Sequence, residues 1–243
     1  MSGKEENVGP FTWNQCYFID CMEGMMQLPD QSIDLCLTDP PWETSEDGGF
    51  HTRFGKDIKG SPHIEYETHD TTWHLKWIHE ASRVCKIVVF CVPLKDLNAW
   101  VKMTDPKGIF ILYFKNGFRP SKISNINKYS PYFALFDEPP KHKPLFNVIE
   151  HVSEWGFIPH EKYDHPSPKS TKVFKYFIDG FKAKSVLDPF LGSGCTAEAA
   201  ENIGNVKWLG FEIDEAACSN DISRRVSSGV KVKRSRKNQA SLF

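Results

Sequence analysis

An apolar strand, a glycine turn and the start of a helix follow one another in Ser185-Val186-Leu187-Asp188-Pro189-Phe190-Leu191-Gly192-Ser193-Gly194-Cys195-Thr196. The helix start continues as Ala197-Glu198-Ala199-Ala200, which is rich in small residues. Nucleotide-like ligands use such units, because glycine lets the backbone approach closely and the helix N-terminus offers N–H donors. The segment lacks the third glycine of the dinucleotide fingerprint and the Gly-Lys-Ser/Thr sequence of a P-loop. The pattern therefore predicts a nucleotide-type site and disfavours a phosphate cradle.

A second strand follows this unit and ends in an acid. It lies within Val206-Lys207-Trp208-Leu209-Gly210-Phe211-Glu212-Ile213-Asp214. Glu212 comes about 20 residues after the glycine turn, the spacing at which a carboxylate meets ribose hydroxyls in doubly wound folds. The loop, helix, strand and acid together predict an α/β fold in which Glu212 binds a ribose.

An earlier apolar strand, Leu35-Cys36-Leu37-Thr38, ends in Asp39-Pro40-Pro41-Trp42. One interpretation is a pocket for the exocyclic amine of a nucleobase: Asp39 accepts one N–H, a carbonyl of the proline turn accepts the other, and Trp42 stacks on the ring. The prolines fix φ and carry no N–H donor, so they stiffen this corner. The other interpretation is a strand that ends in a Pro-Pro turn with a solvated Asp39. The short motif alone leaves both open.

Both segments resemble motifs of S-adenosylmethionine-dependent DNA amino-methyltransferases of the adenine-N6/cytosine-N4 type. Asp39-Pro40-Pro41-Trp42 resembles their catalytic motif, and Asp188-Pro189-Phe190-Leu191-Gly192-Ser193-Gly194 resembles their cofactor loop. The catalytic motif comes first in the chain, an order similar to that of the permuted beta group. Three further segments are similar to the family's: Phe18-Ile19-Asp20-Cys21-Met22-Glu23, Leu28-Pro29-Asp30-Gln31-Ser32-Ile33-Asp34 and His165-Pro166-Ser167-Pro168-Lys169.

The resemblance implies a Rossmann-like methyltransferase fold with a mixed seven-stranded sheet, helices on both faces and a circularly permuted motif order. It implies S-adenosyl-L-methionine as cofactor, with Asp20 and Cys21 at its adenine and Lys169 near its methionine. The full set of predicted cofactor-binding residues is Asp20, Cys21, Lys169, Asp188, Phe190, Gly192, Ser193, Gly194 and Glu212. Asp20 also suits a strand-end cap, and Lys169 also suits a surface lysine.

The resemblance predicts methyl transfer to adenine N6 of a flipped-out DNA base, with Asp39, Pro40, Pro41 and Trp42 as catalytic residues. In this family, Asp at the first motif position goes with adenine and Ser with cytosine. Two residues depart from the family pattern: Trp42 replaces the usual tyrosine, as in related RNA adenine methyltransferases, and Ser170 replaces a proline. The alternative acceptors are cytosine N4, adenine N6 of RNA, single-stranded nucleic acid and a protein amide. The alternative function is that of a non-catalytic partner subunit.

Composition agrees with one ordinary α/β domain. The chain has 243 residues, of which 40% are hydrophobic and 25% charged, with a net charge of −1. Its seven cysteines form no Cys-x-x-Cys pair, so they are predicted to be buried and reduced, without disulfides or zinc. The histidines between His51 and His79 match no zinc spacing and are predicted to lie on a surface loop, and no metal is predicted. The chain shows neither a signal peptide nor a membrane span, so a cytoplasmic protein of prokaryotic or phage type is expected.

A single domain is predicted over residues 1–243, with a small target-recognition insertion at 116–163 and a basic tail at 224–243. The tail suits either a solvated terminus or an arm that contacts phosphates. Residues 43–72 are predicted to form a functional loop, and a homodimer is compatible with the sequence. Predicted strands cover 15–20, 32–38, 86–92, 108–115 and 132–137, and predicted helices cover 21–28, 73–84, 94–102 and 172–180.

Overall fold

A computed structural model describes residues 7–41, 71–92, 97–114, 132–135, 148–151, 169–226 and 233–234. Several predictions fall outside these residues. These predictions concern Trp42, nearly all of the predicted 43–72 loop, most of the 116–163 insertion and residues 235–243.

The described chain alternates strands and helices. Its strands are β1 Asn7–Val8, β2 Phe11–Thr12, β3 Gln15–Phe18, β4 Ile33–Thr38, β5 Cys85–Val92, β6 Gly108–Phe114, β7 Tyr132–Leu135, β8 Val148–His151, β9 Ser185–Asp188, β10 Lys207–Glu212 and β11 Lys233–Arg234. Its helices are α1 Cys21–Met25, α2 Thr71–Val84, α3 Leu97–Thr104, α4 Thr171–Gly180, α5 Cys195–Ile203 and α6 Glu215–Arg225.

One mixed sheet organises the described residues, in the order β11-β3-β10-β9-β4-β5-β7-β6-β8. The strands from β11 to β5 are parallel, β7 runs antiparallel to both neighbours, and β8 is parallel to β6. The mixed α/β fold is confirmed. The predicted count of seven strands is too low, because the short strands β11 and β8 extend the sheet to nine.

Helices cover both faces of the sheet, as predicted. β5 shows why: Ile87, Val89 and Cys91 belong to one hydrophobic cluster, while Val88, Phe90 and Val92 belong to the other. Helices α4, α5 and α6 pack on the first face, and α1, α2 and α3 pack on the second. A continuous apolar run is the expected sequence of a parallel strand that is buried on both sides.

The start of α1 is held close to β10 by a glycine. A Cβ placed at Gly24 would lie 2.7 Å from atoms of the Phe211 ring, which is fully buried. This close approach brings the N-terminus of α1 beside the end of β10. The helix therefore carries Asp20 and Cys21 to the same edge of the sheet as Glu212.

Two basic residues assigned to the tail belong instead to the folded domain. Arg224 and Arg225 form the last turn of α6, and the Arg225 side chain is only 4% exposed. Its guanidinium pairs with Glu198 of α5 at 2.5 Å and donates to the Thr171 hydroxyl of α4. The prediction that the tail begins at residue 224 is therefore wrong, since Arg225 joins three helices. Further along, β11 pairs in parallel with β3.

Two other expectations concern histidines and cysteines. His74 is buried in α2 and accepts a hydrogen bond from Trp77 Nε1 at 3.1 Å, so its prediction as a surface-loop residue is wrong. The seven cysteines are all free and buried, which confirms that they behave as small hydrophobic residues. None of the helices in the described part of the chain has the length and apolarity of a bilayer span.

Candidate active site

Four acidic residues come together at the carboxyl edge of the sheet. The strands β3, β10, β9 and β4 are parallel neighbours, so their ends meet at one edge. Asp20, Glu212, Asp188 and Asp39 lie at or just beyond these ends, respectively. Ligands of open α/β sheets bind outside the carboxyl ends of the strands. The residues predicted from two distant motifs thus share one site.

Asp39 follows β4 and forms an ion pair with Lys169, through Oδ2 and Nζ. The two side chains are 16% and 30% exposed, respectively. Burial lowers the pKa of Lys169, but the Asp39 carboxylate raises it, and the net direction is upward. Lys169 is therefore an ammonium group at this site. Pro40 is buried behind Asp39, and Trp42 lies outside the described residues.

Cys91, near the end of β5, is a second partner of Asp39. Its side chain hydrogen-bonds to the Asp39 carboxylate. Burial raises the pKa of the Cys91 thiol well above its ordinary value, and the nearby Asp39 carboxylate raises it further. Cys91 is therefore a neutral thiol that donates a hydrogen bond to Asp39.

Asp188 lies beneath the glycine loop and is 2% exposed. It accepts hydrogen bonds from the hydroxyls of Thr38 at 2.6 Å and Thr196 at 2.5 Å, and from the backbone N–H of Phe190 at 3.1 Å. Burial raises the pKa of Asp188 to about 6, although these hydrogen bonds act in the opposite direction. The carboxylate thereby joins β4, β9 and α5 under the predicted cofactor loop.

The titration of Asp188 predicts how stability changes with pH. Its folded-state pKa of about 6 lies above the ordinary value of 3.8, so the folded protein binds this proton more tightly than the unfolded chain. Binding of this proton stabilises the folded state fully below the unfolded-state pKa of 3.8, and this stabilisation is lost as the pH rises through 6. The loss corresponds to about 3 kcal/mol at 1.36 kcal/mol per pKa unit.

Asp188→Asn should remove this dependence, because the amide keeps an acceptor for a threonine hydroxyl but does not ionise. Urea unfolding at pH 4, 5, 6 and 7 checks it. The stability of the wild-type protein should fall relative to that of Asp188→Asn across this range. Parallel curves for the two proteins would contradict the assignment.

Glu212 contacts the glycine loop directly. Its Oε2 accepts the N–H of Gly192 at 2.8 Å, and its Oε1 accepts the N–H groups of Ile213 and Asp214, each at 2.9 Å. Burial raises the pKa of Glu212, while these three hydrogen bonds lower it, and the net direction is upward. A carboxylate offers about four lone-pair sites, so Glu212 retains capacity for a ligand hydroxyl.

The loop itself requires glycine at its two turning points. Gly192 has a φ of 51° and Gly194 a φ of 87°, both in the left-handed region that disfavours other residues. Gly194 is also the N-cap of α5, and Ser193 between the glycines is buried. The glycine turn thus leads directly into a helix, as its sequence predicts, and within the turn Gly192 is half-buried while Ser193 and Gly194 are buried.

The other predicted cofactor residues have visible structural roles. Asp20 is the N-cap of α1, where its Oδ1 accepts the N–H groups of Met22 at 2.8 Å and Glu23 at 3.1 Å. Asp20 therefore caps the helix that follows β3 rather than the strand itself, and its side chain is exposed at the edge, so its role at the cofactor stays a prediction. Cys21, the first residue of α1, is buried.

Phe190 belongs to an aromatic cluster that the sequence did not reveal. Its ring lies 5.7 Å from Trp73 and 5.3 Å from Trp77, centroid to centroid, and both tryptophans are in α2. The spacing of four between Trp73 and Trp77, which places them on one helix face, was the available signal.

The sequence patterns also did not predict three residues of the candidate site: Cys91, Thr196 and Ile213. Ile213 follows Glu212 and is 73% exposed, so an apolar side chain stands free beside the predicted ribose-binding carboxylate. Thr196 was quoted as part of the glycine loop, yet only the folded chain shows that its hydroxyl reaches Asp188. Such contacts cross between elements and leave no local pattern.

This arrangement defines a class of protein: a Rossmann-like domain with an acid-proline-proline corner next to a glycine-loop ligand site. The N6/N4 family described as DNA methylase matches residues 110–223 of this chain. A Type II methyltransferase, M.BamHI of Bacillus amyloliquefaciens, is 24% identical over an alignment of 244 residues. The alignment covers 80% of this chain and 53% of that protein. The putative methylase YubD of Escherichia coli K12 is 26% identical, over 81% of this chain and 83% of its own length.

Solved structures agree in fold. PvuII DNA methyltransferase (cytosine-N4-specific) superposes with a TM-score of 0.61 at 19% identity, covering 89% of this chain and 87% of its own. The complex of M1.HpyAVI with SAM gives a TM-score of 0.58 at 19% identity, covering 88% and 98%. These similarities to S-adenosylmethionine-dependent DNA amino-methyltransferases of the N6/N4 type confirm the resemblance. The chain spans about half of the length of M.BamHI.

Proposed function

We propose that this chain transfers a methyl group from S-adenosyl-L-methionine to the exocyclic N6 of adenine in DNA. The observation that carries the proposal is the position of Asp39, which directly follows β4, the strand paired with the glycine-loop strand β9. An acceptor for an amine and a loop for a nucleoside cofactor are thus next to each other. Methyl transfer needs this proximity above all, since in-line alignment of the reacting atoms supplies much of the rate enhancement.

The residues at the end of β10 fit a nucleoside with a ribose and a flat ring. Glu212 has a remaining acceptor site for a hydroxyl, and the exposed Ile213 offers an apolar surface to a ring. Gly192, Ser193 and Gly194 form the turn before α5, in which Gly192 is half-buried, while Asp20 and Cys21 lie at the adjacent strand end. When bound, S-adenosyl-L-methionine supplies an electrophilic methyl group on its sulfonium. The chain's own residues hold and orient the reactants.

Asp39 has a direct role at the amine. The lone pair of an exocyclic amine is delocalised into the base, so the nitrogen is a poor nucleophile. Hydrogen bonds from the amine to the Asp39 carboxylate and to the Pro40 carbonyl draw the nitrogen toward tetrahedral geometry and stabilise the positive charge that develops there. Trp42, next in the motif, is proposed to stack on the base after it leaves the duplex.

Cytosine N4 is the second candidate acceptor. It presents the same planar amine, and the structural neighbour PvuII is described as cytosine-N4-specific. Adenine is favoured because the first motif residue is Asp39 rather than a serine. The tryptophan of the motif keeps an RNA adenine acceptor among the alternatives to be tested.

DNA is the proposed partner, in keeping with the role of a modification methylase. The basic segment Lys231-Val232-Lys233-Arg234-Ser235-Arg236-Lys237 supports this, since lysine and arginine contact phosphates without regard to sequence. Arg234 is placed opposite Phe18, near the carboxyl end of β3. This register brings part of the segment to the same edge of the sheet as the candidate active site.

A labelled methyl-transfer assay tests the proposal. Purified protein is incubated with radiolabelled S-adenosyl-L-methionine and unmethylated duplex DNA, single-stranded DNA or RNA, followed by nucleoside digestion and mass analysis. N6-methyldeoxyadenosine from DNA is the expected product. N4-methyldeoxycytidine would replace adenine by cytosine as the acceptor. Label in RNA alone would exclude DNA, and no transfer to any of the three would contradict the proposed function.

A further inference from the structure

We propose that Lys169 is a positioning residue for methyl transfer, which holds the Asp39 carboxylate where it accepts the target amine. The inference rests on the proposed function and deepens it. The sequence predicts Lys169 as a cofactor-binding residue, whereas in the structure its ammonium group forms an ion pair with the Asp39 carboxylate. The lysine therefore acts on the base-binding half of the site.

The first support is how Lys169 is anchored. It lies two residues before α4, and Val173, Phe174 and Phe177 of this helix are buried in the core. Asp39 directly follows β4, which is buried along most of its length. The ion pair therefore joins two rigid elements, which distinguishes it from a mobile surface pair that contributes little.

The second support is the arrangement of other groups around the acid. The Cys91 thiol, from β5, donates a hydrogen bond to Asp39, so the carboxylate is held from two elements. The Asp188 carboxylate of β9 interacts electrostatically with Asp39 as a like charge. Cys195 of α5 is a further electrostatic neighbour of Lys169. Among these groups, Lys169 is the cation that offsets the two carboxylates.

The consequence follows from the cost of an unpaired charge. A partly buried carboxylate that loses its cationic partner and faces a like charge turns away toward solvent. A misplacement of about 1 Å in a catalytic group costs about 100-fold in rate. Removal of the ammonium should therefore reduce the rate of the methyl-transfer step, while the cofactor loop remains intact.

The test compares Lys169→Met, Lys169→Arg and the control Lys172→Met, which removes an exposed lysine of α4. Single-turnover rates at saturating cofactor and DNA are measured together with the cofactor Kd. We expect Lys169→Met to lower the saturating rate by about 100-fold and to change the Kd by less than about threefold. Lys169→Arg should recover most of the rate, because arginine keeps the cation. Lys172→Met should match the wild type.

Other outcomes separate this inference from the proposed function. A weakened Kd with an unchanged saturating rate would place Lys169 in the cofactor site and overturn the inference. If the wild-type protein methylates no nucleic acid, the proposed function fails, and crystal structures of wild type and Lys169→Met then decide the inference. A displaced Asp39 carboxylate supports the positioning role, and an unmoved one refutes it. Lys169→Gln, which also removes the charge, serves for this comparison if the methionine variant does not fold.

Discussion

Asp39→Asn is expected to lower the saturating methyl-transfer rate by at least about 1,000-fold while the cofactor Kd stays within about threefold. The amide has nearly the same shape as the carboxylate but no negative charge, so it no longer stabilises the positive charge that develops on the attacking nitrogen. It also leaves the Lys169 ammonium without its anionic partner. Single-turnover methylation and calorimetric titration of the cofactor measure the two quantities separately.

Asp34→Asn is the matched control for this variant. Asp34 is also on β4 and also pairs with a lysine, Lys86 at 2.8 Å, but it lies toward the amino end of the strand. Burial raises the pKa of Asp34, but its hydrogen bonds to Lys86, Lys184 and Ser185 lower it, and the net direction is downward. The ionised carboxylate therefore stabilises the fold, and Asp34→Asn is expected to lose some stability. Its saturating rate should equal that of the wild type. If Asp39→Asn instead lost cofactor affinity and kept its rate, Asp39 would belong to the cofactor site.

Glu212→Ala is expected to weaken cofactor binding by about 100-fold with little change in the saturating rate. Hydrogen bonds to a charged group contribute about 1.5–3 kcal/mol each, and the variant loses the carboxylate that is proposed to hold the ribose. It also releases the Gly192 N–H, which Glu212 holds at 2.8 Å, so the glycine loop loses an anchor. Titration of the protein with cofactor, without any nucleic acid, measures the effect.

Glu215→Ala is the control for Glu212→Ala, since it removes an equal charge from the first turn of α6. Its affinity should stay near the wild-type value. The cofactor affinity of Glu212→Gln should lie between those of Glu212→Ala and Glu215→Ala, because glutamine keeps an acceptor for the Gly192 N–H but loses the charge. An unchanged Kd for Glu212→Ala would show that the ribose lies elsewhere.

Much of the fold was predictable because its signals are local. The continuous apolar run of β5 predicts a strand that is buried on both faces, and both hydrophobic clusters contain its side chains. The predicted strand and helix positions were mostly correct to within a few residues. The sheet edges were not predicted: β8 and β11 are short strands whose formation depends on the neighbour they pair with, rather than on their own sequence.

The candidate site divides in the same way. Asp39, Gly192, Gly194 and Glu212 were predicted from motifs, and the structure brings their strand ends together. Lys169 was predicted near the cofactor, yet its ammonium pairs with Asp39. Arg225 was assigned to a tail, yet it is buried against Glu198. A charged residue's partner depends on which elements pack beside it, and that information is spread over the whole chain.

By itself, the sequence determined the class of this protein and the order of its parts. A strand that ends in Asp-Pro-Pro and a Gly-x-Gly turn before a helix are local patterns, which backbone geometry and hydrogen bonding impose on a few adjacent residues. Only the tertiary structure decided which charges meet: Lys169 and Cys91 on Asp39, two threonines on Asp188, and Gly192 on Glu212. These contacts join residues far apart in the chain, so they follow from the packing of the sheet and its helices.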